Sequence, residues 1–124
     1  MEKDFEVGKL IDSGNYKGPV WEWLFPEGKA AGVTIFSRKK GMEFGGHYHK
    51  GEDPSKNPEI LLVVSGKMKI TKKESIYAKG FILGPGEFII IKPNVYHYAF
   101  ALEDVVFVER KLQPFDPQNP DTYS

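Results

Sequence analysis

Thirteen glycines and nine prolines divide this 124-residue chain into short runs rich in β-branched and aromatic residues. None of the runs sustains a 3.6-residue period, so no long amphipathic helix is expected. Short apolar runs separated by Gly/Pro turns are the signature of a β-sandwich or barrel. Strand-like runs are read over residues 5–11, 20–25, 31–38, 41–49, 59–65, 67–71, 75–83 (with a kink at Gly80), 87–92, 95–102 and 105–112. The run 67–71 alternates Lys and apolar residues, as a half-exposed strand does. The run 59–65 is apolar without alternation, which predicts cover on both faces, with Ile60, Leu62 and Val64 facing away from Glu59 and buried between sheets or between subunits. Residues 50–58 hold Pro54 and Pro58 and are read as a loop. The three-proline tail from Gln113 is expected to be extended or loose.

Composition narrows the function classes. Seventeen basic residues balance seventeen acidic ones, which argues against nucleic acid as a partner. The absence of cysteine removes disulfides, thiolate metal sites and a thiol nucleophile. No apolar run approaches the length of a membrane helix. The charged start, Met1 to Asp4, has no signal-like apolar core, so a cytoplasmic location is expected.

All three histidines fall on strand-like segments. In a strand, residues i and i+2 share a face, so His47 and His49 aim at one point while Tyr48 turns away. Glu59 opens the next run, where its carboxylate can reach the same point, and His97 lies in a later strand. Alternation from His97 turns Ala99 and Ala101 inward and Tyr96, Tyr98 and Phe100 outward. Alternation from Glu59 turns Leu61, Val63 and Ser65 inward. The expected cavity is apolar with a few polar anchors at one end, suited to a small ligand. Trp21, Trp23 and Phe25 read as core or subunit interface. Arg38 and Arg110 read as solvated strand-end charges, and Glu52 and Asp53 as solvated loop charges able to close over the pocket.

These residues resemble the two motifs of the cupin superfamily. The first runs Gly, five residues, His-x-His, a short spacer, Glu, six residues, Gly; here Gly41, His47, His49, Glu59 and Gly66 stand in that order, with nine residues between His49 and Glu59. The second has ten residues between its first Gly and its His, as between Gly86 and His97. Its Pro comes one place late at Pro93, its second Gly is missing, and Ala101 stands where an Asn is usual. The resemblance implies an all-β, double-stranded β-helix (jelly-roll) barrel in a single domain. Residues 1–40 would complete the barrel, 41–112 form the core and 113–124 the tail.

It further implies that His47, His49, Glu59 and His97 bind one divalent transition metal (Fe, Mn, Ni, Zn, Co or Cu), and that the chain forms a homodimer. Three imidazoles and a carboxylate suit any of these ions. Two open positions would serve a metal-dependent dioxygenase or isomerase acting on a small molecule. Two other readings stay open. One is a metal-free cupin similar to the sugar-nucleotide isomerases and epimerases, with His47 or His49 as acid/base and Tyr48 or Tyr96 as proton partner. The other is a non-enzymatic ligand-binding module.

Overall fold

A computed structural model describes residues 4, 5, 7–22, 32–113 and 116–124. Ten strands are present among them: β1 (Ile11–Asp12), β2 (Val20–Glu22), β3 (Gly32–Arg38), β4 (Glu43–His47), β5 (Glu59–Ser65), β6 (Met68–Thr71), β7 (Gly80–Leu83), β8 (Phe88–Ile91), β9 (His97–Ala101) and β10 (Val105–Lys111). They form a six-stranded sheet in the order β1-β2-β3-β10-β5-β8 and a four-stranded sheet in the order β4-β9-β6-β7. Every paired neighbour is antiparallel. Two such sheets face to face are the expected double-stranded β-helix. No helix among the described residues is long and apolar enough to cross a membrane.

The core lies between the sheets. Leu61 and Val63 of β5, Phe107 of β10 and Ile91 of β8 meet Met68 and Ile70 of β6 and Ala99 and Ala101 of β9. Met68 and Val63 are wholly buried, each contributing about 1.5–3 kcal/mol by loss of apolar contact with water. Phe36, Phe107 and Phe44 stack at centroid spacings of 4.8 and 5.4 Å. The Arg38 guanidinium lies 5.4 Å from the Phe36 centroid and 5.7 Å from that of Phe44, and donates to Pro19 O and Ser37 O. Arg38 is therefore buried, not a solvated strand end, because the aromatic faces and two carbonyls replace its water.

Other expectations need correction. Of the described residues in the run 5–11 only Ile11 joins a strand; Phe5 and Val7 lie exposed. Trp23, Phe25, the turn at 26–29 and Ala31 lie outside the described residues. Residues 75–79 form a turn in which Ser75 Oγ accepts from Tyr77 N and Ser75 O from Ala78 N, so that strand begins only at Gly80. Strand β5 is covered on one face alone, with Leu62 and Val64 exposed. Ser65 also faces out: Val106 pairs with Ser65 but Phe107 with Val63, and the extra residue flips the alternation. Alternation on β9 puts Ala99 and Ala101 in the core, yet outward Phe100 is buried too.

Two turns show why particular residues stand where they do. Asn94, in the place of the motif's missing glycine, has φ +67°, a left-handed value that Asn tolerates better than most residues. Gly66 has φ +79° between β5 and β6, and a Cβ there would collide with the backbone oxygen of Asp104. Gly66→Ala is expected to lose about 2 kcal/mol in urea unfolding through left-handed strain and this clash; an unchanged midpoint would remove the assignment.

Candidate metal and ligand site

The two sheets bring His47, His49, His97 and Glu59 together. His47 ends β4 and pairs directly with His97 on β9. A bulge precedes it: Gly45 and Gly46 have φ +84° and +73°, and the register shifts between Gly45 and His47. Such a bulge re-aims the strand end. One ring nitrogen from each of the three histidines lies within 4.8 Å of the other two, and His49 and His97 are buried. Glu59 reaches them from the opposite sheet, its Oε2 3.2 Å from His49 Nε2 and its Oε1 3.2 Å from His97 Nε2.

Proton positions follow from the other ring nitrogens. His49 Nδ1 lies 2.7 Å from the carbonyl oxygen of Asp121, and His97 Nδ1 lies 3.0 Å from that of Val95. A carbonyl can only accept, so each Nδ1 carries the hydrogen. In the neutral rings both Nε2 lone pairs then point at an ionised carboxylate. His49 Nε2 and Glu59 Oε1 have no hydrogen-bond partner although both are buried. Lone pairs facing a carboxylate repel unless a proton or a cation lies between them. Carbonyls holding Nδ1–H so that Nε2 is free is also how ligating histidines are usually oriented. The residues present therefore fit a divalent metal.

Charge in the site is strongly biased. Burial and the neighbouring His97 and His49 push His47 down to about 3. Burial also opposes a charged His97, but the bond to Glu59 and its charge outweigh it and raise the pKa. For Glu59, burial is overcome by His49, His97 and Lys56, which hold its carboxyl well below the usual range.

Lys56 is a functional residue that sequence reasoning missed. The loop 50–58 carries a 3-10 turn, Pro54–Lys56, capped by the side chain of Asp53. Asp53 is thus buried, not a solvated loop charge, because its carboxylate accepts from Ser55 N at 2.8 Å. Glu52 accepts from the Tyr123 hydroxyl. The turn sends Lys56 inward, where Nζ lies 3.2 Å from Glu59 and 2.6 Å from Glu109. Glu109 was also missed, although alternation from Val105 and Phe107 turns it inward. Arg110, expected to be solvated, donates to Pro58 O at 2.6 Å and helps hold the loop down.

The end of the tail is not loose. Asp121 is buried, its carboxylate accepts from Lys50 N, Gly51 N and Asp53 N, and its carbonyl holds His49. Tyr123 forms a β-bridge with Tyr48 and stacks on its ring at 5.4 Å. No local periodicity marks Lys56 or Asp121; apart from Lys56–Glu59, their contacts named here are distant in sequence.

A cavity of about 690 Å³ opens beside His97, between the edge strands β7 and β8 and the turn at 72–79. Tyr96 is on its wall with its hydroxyl bound to Glu74, while Arg38 and Arg110 are not.

No family model matches the sequence, and no curated protein does. Solved structures do. Capsular polysaccharide assembling protein CapF from Staphylococcus aureus is 24% identical with a TM-score of 0.71, over 97% of this chain and 32% of that one. CapF with the inhibitor 3-isopropenyl-tropolone is 22% identical with the same score, over 99% and 36%. This chain thus spans about a third of the length of CapF. KdgF from Halomonas sp. is 16% identical with a TM-score of 0.62, over 91% and 99%. A cupin superfamily protein from Desulfitobacterium hafniense is 12% identical with a TM-score of 0.58, over 84% of each chain.

Proposed function

From a chain with the cupin fold, we propose a metal-binding cupin whose His47, His49, His97 and Glu59 hold one divalent transition metal and which acts on a small molecule in the cavity beside His97. The observation that carries this reading is the pair of buried Nε2 atoms, of His49 and His97, each 3.2 Å from a Glu59 carboxylate oxygen and each with a backbone carbonyl on its Nδ1. When bound, such an ion supplies Lewis-acid polarisation or O₂ activation, which isomerase and oxygenase chemistry respectively require. The chain's own contribution is to orient three imidazoles, to hold Glu59 ionised through Lys56, and to offer an apolar chamber next to His97. The inhibitor of CapF is a tropolone, a molecule whose adjacent oxygens chelate divalent metals, and this agrees with the same reading.

The metal-free sugar-nucleotide reading has less support. It asks for a histidine of useful basicity and for cations on a diphosphate, yet His47 is pushed to about 3 and both arginines are engaged with backbone carbonyls away from the cavity. Tyr48 is stacked on Tyr123 and Tyr96 is bound to Glu74, so neither is poised between the histidines.

Metal analysis tests the proposal. Protein purified without chelators is expected to carry near-stoichiometric Fe, Mn, Ni, Zn, Co or Cu, and a His47→Ala/His49→Ala variant none. Each imidazole must be deprotonated to donate, so acid competes with the cation. Because Glu59 raises the pKa of His97, dialysis should strip the ion at a pH nearer neutrality than a free imidazole would dictate. Wild-type protein with no metal, and no uptake of Fe(II), Mn(II) or Zn(II), overturns the reading.

A further inference from the structure

The cavity beside His97 has walls of one charge sign. Among the described residues Lys72, Lys73, Lys79 and Lys92 all line it, and no carboxylate does. The nearest acid along the chain, Glu74, is tied to the Tyr96 hydroxyl. None of the four lysines takes part in an ion pair among the described residues, whereas Lys39, Lys56 and Lys67 each do. The chain as a whole has equal numbers of acidic and basic residues, so this concentration of cations does not follow from composition. Below the lysines the surface is apolar, formed by Ile70, Phe81, Ile89, Ile91 and Val95. The volume, about 690 Å³, is within the usual range of small-molecule sites.

We propose that this cavity takes a small anionic molecule with an apolar body, its carboxylate or equivalent anionic group held at the lysine rim and its apolar part against the isoleucine floor. The lysines are exposed and hydrated, so they contribute attraction and selectivity more than tight fixed contacts. The apolar floor argues against a polyhydroxylated ligand, whose hydroxyls would lose water without gaining partners. The proposal rests on the reading that the ligand enters beside His97, and it names the class of molecule that reading leaves open.

Calorimetry with 4-phenylbutyrate and its neutral amide, 4-phenylbutyramide, tests it. The acid is expected to bind about tenfold more tightly than the amide at low ionic strength, with the margin shrinking as salt is added. In a Lys79→Glu/Lys92→Glu variant the margin should vanish while metal content stays that of wild type. Equal binding of acid and amide, failure of both to bind, or a margin unaffected by charge reversal overturns the proposal. The His47→Ala/His49→Ala variant separates it from the metal reading. A lysine-dependent margin that persists there, in a protein whose wild type takes up no metal, keeps the anion site and discards the metal. Metal uptake without a lysine-dependent margin does the reverse.

Discussion

Lys56→Met is expected to destabilise the protein by about 3–5 kcal/mol, the usual cost of removing one partner from a buried ion pair. The side chains of Lys56, Glu59 and Glu109 are 12%, 4% and 7% exposed, and a single ammonium bridges both carboxylates. Methionine fills much of the same volume, so the loss reports charge and not packing. The measurement is urea unfolding of chelator-treated protein, in which no cation compensates Glu59. A Lys56→Met/Glu109→Gln variant should recover most of the loss, because it removes a stranded carboxylate together with its partner. The pH dependence has a definite sign. Burial and the charge of Glu59 already raise the Glu109 pKa, and loss of Lys56 removes an interaction that lowers it. A carboxyl whose folded pKa exceeds its unfolded value destabilises the fold above that range. The deficit of Lys56→Met should therefore shrink as pH falls from the folded pKa of Glu109 in the variant toward its lower folded pKa in wild type. A loss below about 1 kcal/mol, as for an exposed pair, would show that Lys56 is solvated.

The strands and the histidines were legible in the sequence because both are written in local spacing. Alternation through residues 67–71 and 105–111 matches β6 and β10, and Gly/Pro clusters mark most turns. The positions of His47, His49, Glu59 and His97 followed from the i, i+2 rule and from motif spacing, even though Pro93 and Asn94 depart from the motif. Asn94 succeeds in the glycine's place because what that place demands is a left-handed φ. Where alternation failed, a backbone irregularity was responsible: one extra residue opposite β10 turns Ser65 outward. The chain's own sheets do not cover the second face of β5. An apolar run does not say whether anything lies on its second face, and Leu62 and Val64 are exposed in the single chain.

What local pattern could not supply is the layer behind the histidines. The loop 50–58 reads as an insertion of polar and proline residues, and the tail as an extended or loose end. Together they make one substructure, with Asp121 as its centre. Three backbone N–H groups of the loop, at Lys50, Gly51 and Asp53, converge on one carboxylate at 2.9, 3.0 and 2.9 Å. Ser55 Oγ accepts from Leu112 N at 2.8 Å, so the end of β10 is joined to the same unit. The loop carries Lys56 under Glu59, and the tail carries the carbonyl that sets the His49 tautomer. Neither the Lys56–Glu109 pair nor the His49–Asp121 pair has a sequence period, since their partners are separated by 53 and 72 residues.

Asp121→Ala is therefore expected to act on stability and on the proposed metal site at once. Removing the carboxylate leaves three backbone donors without their charged acceptor, and alanine is strained at the left-handed φ of +50°. The expected loss is about 3 kcal/mol in urea unfolding. Metal affinity, measured by competition with a chelator, should fall about 10–100-fold, the usual effect of disturbing the group that orients a ligating histidine. The two effects can be separated. Asp121→Asn keeps one oxygen acceptor and tolerates a left-handed backbone, so it should recover much of the stability and, with the tail reseated, the metal affinity as well. A variant distant from the loop with a comparable loss of stability, such as Gly66→Ala, should leave metal affinity near that of wild type at temperatures where it is folded. If Asp121→Ala binds metal as wild type does while unfolding more easily, the tail is only a structural clasp. If both fall together and Gly66→Ala lowers stability alone, the tail takes part in holding His49 in the geometry that the site requires.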